Sequence, residues 1–357
     1  MTVPQRFGQG PPPLTLGVEE ELVIMDARTL AQVGRVAAIV DGLSGRELPG
    51  RAKTELHASV VELNTDPCAD GAEVLAALAE LRRAAAEAAG AAGLAIAATG
   101  SHPFAVSEEQ PILEEERYLS MVAHHGISAR RQDVQGMHVH VAMPSGEDCW
   151  RTLEGMLPWL PVVLALSANS PWLAGELTGM ASNRAPVLTE LPRAGGPPAL
   201  ASYAAWERWV ERYVRLGVIV DYTRVWWDVR PHPALGTLEV RVADQPTDVR
   251  RSAAFASLLQ GLARSVLESG GHAQADRSDY EYNRWAAARF GAGAELVHPN
   301  GERLLPVREL AEELFELAGA QAETAALLDP ARSEAALQAA FDDPRVAAAD
   351  LVVRSLA

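Results

Sequence analysis

The sequence predicts an α+β fold, an antiparallel sheet covered by helices, and three observations carry that prediction. Short segments alternate apolar with polar or charged residues, as strands with one buried face do. Long Ala- and Leu-rich stretches of helical pattern separate them. Residues 224–246 ("RVWWDVRPHPALGTLEVRVADQP") read as a hairpin whose strands join around Pro231–Gly236. A chain of 357 residues, 48% hydrophobic, can bury a large core, and its length allows one large α+β domain or two domains.

Residues 1–13 look like a flexible leader, with no apolar core of the signal-peptide kind. Residues 14–25 read as a strand and 53–63 ("KTELHASVVEL") as a second. An Ala-rich amphipathic helix follows over 71–93, closed by Gly90 and Gly93. "LAIAATG" is a short buried strand that runs into the turn "SHPF"; 111–126 is helical, and "DVQGMHVHVAM" is a strand with strong alternation. A long helix is expected over 147–168. Its apolar run from Met156 to Ala168 holds two prolines and is too short to span a bilayer. Segment 170–200 is rich in Pro, Gly and small polar residues, yet it carries Trp172 and several leucines, so it reads as an ordered functional loop. A helix over 201–216 and the hairpin come next. From 246 onward the pattern is helical, with breaks near 270, 291 and 329.

Composition excludes several functions. A net charge of −16 argues against nucleic-acid or anionic-membrane partners, which need a basic surface. Cys68 and Cys149 stand far apart in no metal or redox spacing, which predicts a reduced, cytoplasmic setting. Lys53 is the only lysine among 31 basic residues, so lysine-based phosphate clamps and Schiff-base chemistry are nearly excluded. Any phosphate must be met by arginines and metal ions.

"LGVEEELVI" (16–24) sets three acids inside a buried strand pattern, where an unpaired carboxylate costs several kcal/mol. Alternation puts Glu19 and Glu21 on one face and Glu20 on the other. The same arithmetic pairs His138 with His140 and Glu239 with Arg241, and places Glu62 beside Val60. Each residue alone fits a surface group, a hydrogen-bonded core histidine or a cross-strand ion pair; four strands with such residues fit a shared site better. Glu55 and Glu62 are seven apart, so both can serve one site only if the chain bends between them. A carboxylate-dominated set without cysteine suits Mg²⁺ or Mn²⁺ rather than zinc. Its charge exceeds what one divalent ion balances, which suggests two or more ions completed by an anionic substrate such as a nucleoside triphosphate.

"LGVEEELVI", "KTELHASVVELNTDPC", "ATGSHPF", "GMHVHVAMPS", "SNRAPVLTELP" and "WWDVRPHPALGTLEVRVADQPTD" together resemble the carboxylate–amine ligases, the glutamate–cysteine ligase type 2 group, in order and spacing. The resemblance runs from about residue 14 to the C-terminus and implies a single catalytic domain over 14–357. It implies a branch of the glutamine synthetase superfamily: an antiparallel sheet bent into a funnel, helices outside and the active site on the concave face. Carried over by motif, Glu19, Glu21, Glu55, Glu62, His138 and Glu239 would be metal ligands. Arg241 and Arg184 would be catalytic and, with His140, would bind the nucleotide. The role of Glu20 is left undefined.

The implied reaction is ATP- and Mg²⁺-dependent amide formation through an acyl phosphate, with glutamate as donor and an amine or amino acid as acceptor. A homo-oligomer is left open. Two rivals stand beside it. One is a metal-dependent amide hydrolase built on "HVH", marked by zinc and little need for ATP. The other is a non-catalytic relative that only binds ATP or an amino acid.

Overall fold

A computed structural model describes residues 3–270 and 275–356. The strands that matter for the site are β1 (Leu16–Asp26), β2 (Gly50–Thr54), β3 (Val60–Thr65), β4 (Leu94–Ala97), β5 (Met137–Ala142), β6 (Val229–His232) and β7 (Thr237–Val240). They form one seven-stranded sheet in the order β6-β7-β5-β1-β3-β2, with β4 beside the second half of β1. Every pairing in it is antiparallel, as the hairpin and alternation predict.

The two faces of this sheet differ chemically. Leu16, Val18, Leu22 and Ile24 of β1, Met137, Val139 and Val141 of β5, and Leu238 and Val240 of β7 point into the hydrophobic core. Helices Gly71–Ala91, Gly146–Met156 and Val249–Ser269 cover that face. Helix Gly71–Ala91 starts where Asp70 accepts from the Ala72 and Glu73 amides, and it lays Leu78 and Leu81 in the core. The opposite face carries Glu19, Glu21, Glu62, His138, His140 and Glu239 of the same strands.

Several sequence expectations need correction. The strand expected over 53–63 is two antiparallel strands, β2 and β3, because the chain reverses at residues 55–59. The helix expected over 147–168 is broken: Gly146–Met156 gives way to a 3₁₀ turn, Leu157–Trp159, before Leu160–Ser167 resumes. Pro158 and Pro161 remove backbone donors there, which accounts for the break. Helix Val36–Leu43 and the small hairpin Glu295–Val297/Leu304–Pro306 were not foreseen. The latter strands are too short to show a period.

Segment 170–200 is ordered, with short strands and the helix Arg184–Leu188. The described part of the leader expected to be flexible, residues 3–13, lies along the sheet: the Arg6 N–H donates to Pro233 O (2.9 Å) and the Gly8 N–H to Met143 O (3.2 Å). Gly236 has φ 71°, and a Cβ there would lie 2.5 Å from Arg6 O, so the β6–β7 turn needs glycine beneath that strap. Cys68 and Cys149 are free and buried. Among the described residues no helix is long and apolar enough to cross a membrane.

Candidate active site

Residues opposite one another on antiparallel strands share a face, so register alone assembles the site. Lys53, Glu62 and Glu21 form one row across β2, β3 and β1. Asn64, Glu19 and His138 form the next across β3, β1 and β5. His140, Glu239 and Arg230 form the third across β5, β7 and β6. Apart from Asn64, these rows floor a cavity of about 560 Å³ whose lining includes all nine residues singled out from the sequence: Glu19, Glu21, Glu55, Glu62, His138, His140, Arg184, Glu239 and Arg241. Its lining also takes in Tyr118, Met121, Leu188, Leu191 and Trp226, with Arg117 and Arg224 among them.

Glu55 joins this floor because the turn after β2 folds back toward Glu62, which removes the parity problem of the seven-residue spacing. Carboxylate oxygens of Glu21, Glu55 and Glu62 lie within 4.8 Å of one another. Burial and the neighbouring Glu62 and Glu21 charges hold the Glu55 carboxyl well above the usual carboxylate range. Burial also raises Glu21, against the opposing pull of Arg184 and of the Gly136 N–H, which donates to it at 2.6 Å. The cation bonded to this trio is the partly exposed Lys53, 3.1 Å from Glu62.

Ligand atoms of Glu19, His140 and Glu239 form a second cluster within 4.8 Å. Here the charges are better balanced. Arg230 holds Glu239 through two bonds (2.7 and 3.1 Å), and Arg241 donates to the same carboxylate. Burial pushes Glu239 up, but these arginines bring it well below the ordinary range. Burial likewise raises Glu19, yet His138 and His140 bring it well below its ordinary value. The Glu21 trio therefore demands a cation more strongly than the Glu19 cluster.

His138 and His140 both line the cavity but meet different neighbours. His138 Nδ1 meets Glu19 at 3.1 Å and has no place in either three-ligand cluster, whereas His140 completes the second one. Both Nε2 atoms are buried without a hydrogen-bond partner, so each is available to an ion or a substrate group. Alternation put both rings on one face but could not say which would lie opposite Glu239. That follows from register alone.

Arg184, almost fully buried, reaches the cavity from the 170–200 segment and donates to Arg241 O at 3.0 Å, with its Nε left unpartnered. It lies flat on Gly136, where a Cβ would come within 2.1 Å of the guanidinium; the glycine of "GMHVHV" is space for this arginine. Sequence reasoning missed Arg230 and Asn64. Arg230 could have been found by counting outward from the hairpin turn, since it sits opposite Glu239.

Glu20 points to the other face and is fully buried. It forms a fork with Arg82 of helix Gly71–Ala91 (Nε–Oε2 and Nη2–Oε1 both 2.6 Å) and accepts from Gln245 and Ser252. The undefined acid of the triplet is thus the sheet's anchor to its helices.

Residues 15–354 match the sequence profile of the glutamate–cysteine ligase family 2. The putative glutamate–cysteine ligase 2-3 of Rubrobacter xylanophilus is 41% identical, over 92% of this chain and 91% of its own length. The putative glutamate–cysteine ligase 2 of Herpetosiphon aurantiacus is 36% identical, over 85% and 80%. In fold, the glutamate–cysteine ligase of Francisella tularensis, solved in complex with AMP, superposes with a TM-score of 0.67 at 14% identity, covering 97% of this chain and 93% of that one. The ligase PafA, solved with the ubiquitin-like protein Pup, gives 0.53 at 13% identity, over 97% and 73%. The α+β class read from the sequence, an antiparallel sheet covered by helices, is the observed one, and the fold is shared with these two ligases.

Proposed function

The chain belongs to the glutamate–cysteine ligase family 2 and is an ATP-dependent carbon–nitrogen ligase; from that premise we propose that it joins the γ-carboxylate of glutamate to an amine through an acyl phosphate. The observation that supports this reading best is the crowding of Glu21, Glu55 and Glu62 on one sheet face with a single lysine bonded among them. Such crowding is costly unless a divalent cation joins it.

The donor set fits Mg²⁺ or Mn²⁺: hard oxygens from Glu21, Glu55 and Glu62 in one cluster, and Glu19, Glu239 and the unpartnered Nε2 of His140 in the other. When bound, the metal would neutralise the phosphate oxygens of ATP. The protein's own contribution is placement and charge. Arg241 and Arg184 meet anionic groups of substrate, and the buried floor keeps both reactants close. A donor carboxylate oxygen attacks the γ-phosphorus of ATP and ADP leaves. The amine then attacks the acyl carbon, the C–O bond breaks, and phosphate departs as the amine proton passes to a base.

Products test this reading. ADP and inorganic phosphate should appear in step with amide, and dialysis against a chelator should abolish both. AMP and pyrophosphate would point to an acyl adenylate instead. A screen of amino acids and amines with ATP, Mg²⁺ and glutamate held constant identifies the acceptor, for which cysteine is one candidate.

Arg241→Lys separates substrate contact from sheet structure. Arg241 pairs with Glu239, but Arg230 already holds that carboxylate, so the sheet loses little when Arg241 changes. A lysine replaces a planar fork poorly. Turnover is therefore expected to fall by roughly tenfold or more while the melting temperature barely moves. Full turnover with lowered stability would make Arg241 a structural residue.

A further inference from the structure

We infer that Asp244 is a positioning residue that sets Arg184 into the cavity through two serine hydroxyls. The inference rests on the reading that Arg184 meets an anionic group of substrate. Asp244 follows β7, is fully buried and does not line the cavity, so it touches no substrate there. Its Oδ2 accepts from the Asn169 N–H (2.9 Å) and from Ser170 Oγ (2.6 Å), and its Oδ1 accepts from Ser182 Oγ (2.8 Å). Each serine hydroxyl donates to the carboxylate and accepts from the start of the helix that carries Arg184. Ser170 Oγ takes the Arg184 N–H and Ser182 Oγ the Ala185 N–H, both at 3.2 Å.

One carboxylate thus ties the two ends of the 170–182 loop together and orients the first turn of Arg184–Leu188. The arrangement needs a carboxylate. Three donors converge on two oxygens, and an asparagine would offer one oxygen and turn its NH₂ toward a donor. Packing closes the far side: a Cβ on Gly100 would sit 2.7 Å from Asp244 Oδ2. A second tie, Arg284 Nη2 to Ala185 O at 3.0 Å, holds the same turn from helix Arg277–Phe290. With its backbone fixed this way, Arg184 can lie over Gly136 and present its unpartnered Nε beside the floor.

The test is a double-mutant cycle on Asp244→Asn and Arg184→Lys, read as kcat and as KM for ATP and for glutamate, with melting temperatures alongside. Arg184→Lys should raise KM for one of these anionic substrates by roughly tenfold. Asp244→Asn should raise KM for the same substrate by a similar factor. The double variant should be no more than about twofold worse than the worse single, because both changes remove one placed guanidinium. A multiplicative double variant, or Asp244→Asn with both KM values unchanged and only a lower melting temperature, overturns the inference. Arg184→Lys with both KM values unchanged overturns it differently, by removing Arg184 from the substrate contacts. If Asp244→Asn does not fold, Ser182→Ala cuts one arm of the relay: a smaller rise in the same KM supports the role, and no rise defeats it. Calorimetric binding of ATP and of glutamate gives the same comparison without turnover.

Discussion

Glu21→Gln and Glu62→Gln are each expected to lower turnover by roughly two or more orders of magnitude, the scale on which losing a strong electrostatic group acts. Each change keeps side-chain volume and removes one charge from the trio with Glu55. The same variants should bind Mn²⁺ more weakly, a loss that equilibrium dialysis reads without any assay of activity. Folding should not suffer. Glu55 is already pushed up by burial and by its two acidic neighbours, so deleting one neighbour relieves repulsion in the metal-free protein. Lys53 loses its partner in Glu62→Gln, but it is partly exposed and water replaces the contact cheaply. Melting temperatures at or above wild type with turnover near zero are the expected combination. Near-normal turnover in both variants would dissolve the shared site.

The adjacent acid should behave in the opposite way. Arg82→Met leaves Glu20 fully buried and without its fork, and breaking one side of a buried pair costs about 3–5 kcal/mol. Arg82 also donates to the carbonyls of Pro246, Thr247 and Ser355, so its loss loosens the contact between sheet, helix Gly71–Ala91 and the C-terminal end. A clear fall in thermal or denaturant stability is expected. The fraction that remains folded should keep its metal affinity, because Glu20 faces away from the cavity. An unchanged stability midpoint for Arg82→Met would mean that water or another cation reaches Glu20. Three consecutive glutamates then divide by alternation alone, two for the site and one for the scaffold.

That division shows what the sequence carries. Period-two alternation in "VEEELVI", "MHVHV" and "TLEVRV" was enough to put Glu19, Glu21, His138, His140, Glu239 and Arg241 on one face, because a strand's geometry leaves no other choice. Which residues meet across strands depends on register, which no single segment encodes. His140 rather than His138 therefore stands opposite Glu239, and Arg230 went unnoticed. The Glu55–Glu62 spacing already demanded a bend, although "KTELHASVVEL" looked like one strand. The reversal at 55–59 gives Leu56 a buried place that mimics strand patterning. The partner of Glu20 was invisible for a plainer reason. Arg82 sits in an Ala-rich helix beside Arg83, and only packing distinguishes the buried arginine from the exposed one. Leader and loop contacts, such as Arg6 on the hairpin turn and Asp244 on the two serines, are likewise tertiary and leave no local pattern.

The most direct test of the central claim follows one oxygen atom. Glutamate labelled with ¹⁸O in its γ-carboxylate is incubated with ATP, Mg²⁺ and an acceptor amine found in the screen, and the released phosphate is analysed by mass spectrometry. If the donor carboxylate attacks the γ-phosphorus and the amine later expels that oxygen with phosphate, each phosphate formed with amide carries one ¹⁸O from glutamate. Unlabelled phosphate, with the expelled ¹⁸O found in AMP instead, would contradict an acyl phosphate made on this sheet face.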